Sequence, residues 1–305
     1  MLDKIAVVSH DAGGAEIISS WLRQNHGLHH LVLDGPAIKI FERKLGSIKN
    51  NSLLDAIRSC DWVLCGTSWQ SDLEKRALVE AKNVGKKVVT FLDHWVNYSD
   101  RFRMNDATIL PDEIWVGDID AKAIAEDIFP ETKIVLVPNP YFKDIKLELQ
   151  SLPKPKNLSK HHSILYVCEP IREHAMLAHG NPRFWGYTEE EALHFFLKNI
   201  EALDCLIDEV KIRPHPSEKK EKYAWVSHVY SLVREIEDNK SLVDQIAEAD
   251  IVVGSSSMAM VIALLANKRV ICSIPPGGSP CPLPQSSIEH MQAMAPRCHK
   301  ESNDI

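Results

Sequence analysis

The chain has 305 residues, room for two domains at about 150 residues each. Hydrophobic residues make up 45% and charged residues 25%, an ordinary globular balance, and the net charge of −7 argues against a general nucleic-acid binder. No apolar run approaches the roughly 20 residues that span a bilayer, and "MLDKIAVVSHDAGGAE" has too short an apolar core for a signal peptide, so a cytoplasmic protein is expected.

The elements alternate. "KIAVVS" (4–9) predicts a strand, "AEIISSWLRQN" (15–25) a helix and "HHLVLD" (29–34) a strand. The helical "SLLDAIRS" precedes the strand "DWVLCGT" (61–67), and "SDLEKRALVEAKNVG" precedes "KKVVTFLD" (86–93). "DEIWVG", the helical "IDAKAIAEDIF" and "KIVLVP" (133–138) complete a first doubly wound domain ending near residue 145. Its strands are apolar on both faces, as a parallel sheet covered by helices requires. The proline- and lysine-rich "SLPKPKNLSK" (151–160) reads as a linker, which assigns 1–150 and 161–305 to two domains. The second repeats the pattern with "HSILYVCE" (162–169), a helix near 188–203, "DEVKIRP" (208–214), "SLVDQIAEA", "DIVVGS" (250–255), "SMAMVIALLANK" and "RVICSI" (269–274). The fold class is therefore α/β, two Rossmann-like domains facing a cleft that holds the ligand beyond the carboxyl ends of the strands.

The seven cysteines are scattered, several inside apolar strands, and read as reduced buried thiols. No His, Cys or acidic spacing matches a metal site, so neither metal nor cofactor is expected. Asp118 of the Asp-x-Asp in "GDIDA" reads as a helix cap.

Candidate site residues cluster at strand ends. Ser9-His10-Asp11-Ala12-Gly13-Gly14 follows the first strand, the two glycines opening the backbone just before a helix. Its spacing is neither a P-loop nor a dinucleotide fingerprint. Asp11 is a general base or a helix cap. "FLDHWVNYSDRFRMN" carries Asp93, His94, Trp95, Asn97, Tyr98, Arg101 and Arg103, either a sugar- or phosphate-binding wall or a loop packed by Trp95 and Phe102. Arg213-Pro214-His215-Pro216 is a stiff, extended exit that aims one imidazole from what reads as a neighbouring strand end. In "DIVVGSSSMAM", Gly254 makes a turn, and Ser255, Ser256 and Ser257 offer hydroxyls and N–H groups at a helix N-terminus, an anion site.

Together the last two stretches resemble the His-Pro and Ser-Ser motifs of bacterial sialyltransferases, polysialyltransferases and capsule Kdo transferases. The resemblance implies the GT-B fold and a CMP-activated acidic sugar. It also implies donor-phosphate contacts from His215, Ser255 and Ser256, with the register within Ser255–Ser257 open. The pattern is similar too in CDP-glycerol glycerophosphotransferases of teichoic acid synthesis. UDP-sugar enzymes of this fold usually carry a glutamate in the last strand–helix unit, and "SMAMVIALLANK" has no acid. The family's acidic-acidic-Gly motif is only half matched by "LDG" (33–35), so Asp11 is assigned as base by position, with Asp34 and Asp93 in reserve. The loop "CEPIREHAMLAHGNPRFWGY" corresponds to one that lies over the nucleotide, and puts Glu169 and Pro170 by the base or in a surface lid.

The expected activity is metal-independent transfer of a sialic-acid-like or Kdo-like sugar from CMP to a surface glycan of capsule or lipopolysaccharide type. The catalytic residues would be Asp11 and His215, with His10, Gly13, Gly14, Asp93, His94, Arg101 and Arg213 nearby. The alternatives are a CDP-glycerol-type phosphotransferase, a nucleotide-sugar epimerase or hydrolase, and a non-catalytic nucleotide-sugar-binding protein.

Overall fold

Lys4–Ser9 forms β1, and every residue from Ile5 to Ser9 is buried. Successive side chains of a strand point to opposite faces, so both faces of this one are covered. The computed structural model describes residues 3–68, 71–153, 161–234 and 240–295, and it places two such covered parallel sheets in the chain. Packing divides the chain into two compact units between Asp144 and Ile145. Of the expected linker, residues 154–160 lie outside the described ones, as do 296–305 of the tail.

In the first unit β1 is followed by α1 (Ala12–Gln24), β2 (Leu28–Leu33), α2 (Pro36–Leu45), α3 (Leu53–Ser59), β3 (Trp62–Cys65), α4 (Leu73–Asn83) and β4 (Lys87–Leu92). Next come α5 (Tyr98–Arg101), a hairpin of β5 (Arg103–Met104) and β6 (Ala107–Thr108), β7 (Glu113–Val116), α6 (Ile119–Ile128) and β8 (Lys133–Leu136), and α7 (Pro140–Ser151) carries the division between the units. The sheet order is β2-β1-β3-β4-β7-β8, with every pairing parallel. Order reverses between β1 and β3, so their carboxyl ends flank the switch point where doubly wound sheets bind ligands. Helix α2 is not among the expected elements. Pro36 starts it, Ala37 and Phe41 bury one face a turn apart, and Gly46 at φ +82° ends it.

The second unit runs β9 (His161–Val167), α8 (Ile171–His179), α9 (Glu189–Lys198), β10 (Leu206–Arg213), α10 (Ala224–Val229), β11 (Val233–Arg234) and α11 (Leu242–Glu248). It ends with β12 (Ile251–Gly254), α12 (Met258–Leu265), β13 (Arg269–Cys272), β14 (Glu289–His290) and α13 (Met291–Met294). The order is β11-β10-β9-β12-β13-β14, again parallel, with the reversal between β9 and β12.

Three expectations change here. The stretch after β9 is not one long loop, because Ile171–His179 folds as α8 and Gly180 closes it in the left-handed region. The strand ends that carry His215 and the serines are not neighbours, since β9 lies between β10 and β12. Gly254 makes no turn; it is the last residue of β12. A Cβ on Gly254 would come within 2.8 Å of Val167 Cγ2, so glycine is needed there for close strand packing. Among the described residues, no helix is long and apolar enough to cross a membrane.

Candidate functional site

Each switch point carries a carboxylate bonded to a serine from across the sheet. In the first unit Asp11 sits at the N-cap of α1 with extended backbone, yet its side chain makes no cap hydrogen bond. Its Oδ1 instead accepts from His10 Nδ1 at 2.7 Å and from Ser68 Oγ at 2.7 Å. Ser68 follows β3 and is held in turn by the Ser71 N–H at 2.9 Å. The side chain thus does not serve as the helix cap.

Beneath this pair lies Glu74, which the sequence reading did not single out. It is 2% exposed, and its Oε1 accepts the His10 backbone N–H at 2.7 Å. Its Oε2 is buried with no donor. Burial, helped by the negative charge of Asp11 and opposed by the backbone donors, pushes the Glu74 carboxyl up to about 7. A folded-state value above the unfolded one means ionisation is harder in the fold, so stability falls as pH rises from about 4.5 to about 7. Glu74→Gln removes that ionisation. It is expected to gain about 3 kcal/mol relative to the native chain between pH 4 and pH 8, read by urea unfolding at both. An equal difference at the two pH values contradicts the assignment.

Gly13 and Gly14 are the second and third residues of α1, not its approach. A Cβ on Gly13 would lie 1.9 Å from Asp93 Oδ2, so the glycine admits the Asp93 carboxylate against the first turn. Asp93 also pairs with Arg101, itself 8% exposed, and accepts from Thr67 Oγ1 at 3.3 Å. Asp93 is thus committed inside the unit, and Asp34 is exposed, its Oδ1 taking the Gly35 N–H at 2.8 Å.

The aromatic wall is likewise turned inward. Trp95, Tyr98 and Phe102 are buried, and Trp95 Nε1 donates to both oxygens of Asp118 at 3.1 and 3.2 Å. Asp118 also caps α6 by accepting from the Ala121 N–H at 2.7 Å. His94 stays partly exposed, and burial holds its imidazole below the ordinary value.

In the second unit the His215 exit is stiff for reasons beyond its prolines. The His215 N–H donates to Glu218 Oε2 at 2.9 Å, and the Glu218 N–H returns to the His215 carbonyl at 2.8 Å. Glu218 also takes the Tyr223 hydroxyl at 2.8 Å. His215 Nδ1 accepts from the Ser217 N–H at 3.3 Å and lies 2.7 Å from Ser217 Oγ, so Nε2 carries the ring proton. Burial keeps this imidazole below the ordinary histidine value, and His174 adds to that against the pull of Glu218. The ring is therefore a neutral Nε2–H donor. Arg213 is held by Gln245 and by the Lys240 carbonyl, facing α11.

Glu173, Glu189 and Glu218 converge closely enough to hold a cation. Lys222 Nζ occupies that position, 3.1 Å from Glu173 and 2.7 Å from Glu218, and it also pairs with Glu189. The ammonium bridges the three carboxyl groups and anchors the His215 turn.

The three serines have separate partners. Ser257 caps α12 by accepting from the Ala259 N–H at 3.2 Å. Ser255 is 5% exposed, and its carbonyl takes the thiols of Cys272 and Cys281 at 3.2 and 3.5 Å. Ser256 binds Glu169, its N–H 2.6 Å from Oε2 and its Oγ 3.1 Å from Oε1. Burial raises the Glu169 carboxyl above its ordinary value, and the backbone donors of the serine turn oppose that rise. Glu169 thus leaves β9 toward the serine turn, while Pro170 is buried at the start of α8.

No family model and no curated protein matches the chain. Solved structures do. The UDP-GlcNAc 2-epimerase from Methanocaldococcus jannaschii aligns with TM-score 0.56 at 13% identity, over 88% of this chain and 83% of its own. The UDP-GlcNAc 2-epimerase from Neisseria meningitidis, bound to UDP-GlcNAc, aligns with TM-score 0.56 at 13% identity, over 88% and 82%. A sialyltransferase from Photobacterium phosphoreum reaches TM-score 0.48 at 8% identity, over 96% and 100%, which carries no weight either way. At such identities the likeness is one of fold. It bears out the two-domain α/β class expected from sequence, the GT-B type.

Proposed function

We propose that the protein is a nucleotide-sugar enzyme of GT-B type, and specifically a glycosyltransferase that moves an acidic sugar from a CMP donor to a glycan hydroxyl. One observation carries this reading. The Ser255–Ser257 turn already holds an oxyanion, the Glu169 carboxylate, on its N–H and hydroxyl donors. Donors that converge on a carboxylate fit a phosphate oxygen equally well. With His215 Nε2–H as a further donor on the same sheet edge, the second unit would receive the leaving phosphate without a metal.

In the first unit Asp11 Oδ2 would take the proton of the acceptor hydroxyl. His10 and Ser68 both bond Oδ1 and fix the carboxylate's orientation. Donor choice rests on the resemblance of the two motifs and on the acid-free α12. The expected result of calorimetric titration with CMP, CDP, UMP, UDP, GDP and ADP is preferential binding of the cytidine nucleotides. Tighter binding of UDP or GDP would overturn the donor assignment.

A second reading is a nucleotide-sugar 2-epimerase. It is favoured by the fold likeness and by the gathering of His10, Asp11, Glu74 and Asp93 near the ends of β1 and β4, more acid–base groups than a single proton abstraction uses. Conversion of a UDP-sugar to its epimer with no acceptor added would select it.

A further inference from the structure

Glu169 stands where the proposed reading puts the donor phosphate. It leaves β9, between the exits of β10 and β12, and spans to the serine turn across 87 residues of sequence. Both of its oxygens are engaged by Ser256, and among the described residues no Lys or Arg pairs with it. Among the described residues, the titratable groups that sense its charge are Tyr166 on β9, Cys168 just after it, Tyr187 ahead of α9, and Cys272 and Cys281 from β13 and beyond. All are ordinarily neutral at pH 7. The donors seen on the carboxylate are thus those of the serine turn itself.

We infer that Glu169 is an internal competitor for the phosphate of the nucleotide. It fills the Ser255–Ser257 turn in the unliganded chain and gives way when a phosphate enters. The inference rests on the proposed nucleotide-sugar function. A phosphate group brings three strong acceptor oxygens against the two of a carboxylate, and so can take over the same donors. Two anions cannot share the turn, because like charges at this separation disfavour one another. Glu169 thus sets a threshold. A phosphate ester displaces it, whereas the uncharged nucleoside or sugar alone offers nothing to exchange. The device also keeps a row of backbone donors paired while the site is empty, which buried N–H groups require.

The test titrates CMP and cytidine into the native chain, Glu169→Gln and Glu169→Asp at pH 7.5, with folding of each checked by thermal unfolding. Gln keeps the size and removes the charge. Asp keeps the charge and withdraws it by one methylene, so either variant carries the test if the other fails to fold. CMP is expected to bind both about tenfold or more tightly than it binds the native chain, the scale of a charge-assisted hydrogen bond no longer opposed. Cytidine affinity should not change. Unchanged or weaker CMP binding in the folded variants overturns this inference and leaves the proposed function standing. So does a gain that cytidine shares. Absence of CMP binding in the native chain and both variants removes the proposed function, and this inference with it.

Discussion

Asp11→Asn is expected to lower turnover by about 10²–10⁴ while leaving nucleotide affinity nearly unchanged. The amide keeps the shape of the carboxylate and can still accept from His10 Nδ1 and Ser68 Oγ, both of which now bond one oxygen, Oδ1. What it loses is the second, proton-accepting oxygen. The helix start should survive the change, because Asp11 makes no side-chain cap bond. A steady-state assay on the folded variant, paired with a nucleotide titration, separates the two effects. Near-normal turnover would move the base elsewhere, and Glu74 would be examined first. It lies against the same turn, bonded to the His10 N–H at 2.7 Å, with a carboxyl pushed up to about 7. Asp93 is a weaker second choice, since Arg101 pairs with its Oδ1 while Oδ2 packs against Gly13.

Much of the fold was legible because doubly buried strands are apolar throughout. The runs that became β1, β4 and β12 needed no partner to be recognised. Helix α8 was missed for a physical reason. Only Ile171 and Ala175 are buried on it, while Met176 and Leu177 are 55% and 71% exposed, so its apolar residues form no single stripe. Its end was nevertheless written in the sequence by Gly180.

The site was legible only at single positions. His215, Asp11 and the serines announced themselves by local pattern, but their partners did not. Ser68 meets Asp11 across 57 residues, Glu74 meets His10 across 64 and Glu169 meets Ser256 across 87. Such pairs follow from strand order, which the sequence pattern left open. The reversal between β9 and β12 is what brings Glu169 to the serine turn.

The second large effect is expected at His215, and it bears on the central claim that the second unit receives a nucleotide phosphate. The imidazole is fixed by Ser217 on Nδ1 and by the turn that Glu218 closes, which leaves Nε2–H as its outward donor. A neutral donor held in place loses little entropy on meeting an anion, and its bond to a charged group is worth about 1.5–3 kcal/mol. His215→Ala should therefore weaken CMP binding roughly tenfold to a hundredfold and slow turnover as well, because the same bond strengthens as charge collects on the departing phosphate. His215→Gln, which restores a side-chain N–H donor, should recover part of the affinity. The most direct measurement is calorimetric titration of CMP into the native chain and His215→Ala under identical buffer and salt. The account predicts a measurable native affinity that drops by at least about tenfold in the variant. Equal affinities in the two folded proteins would make the stiff Pro-His-Pro exit a structural feature and contradict the phosphate site built on it.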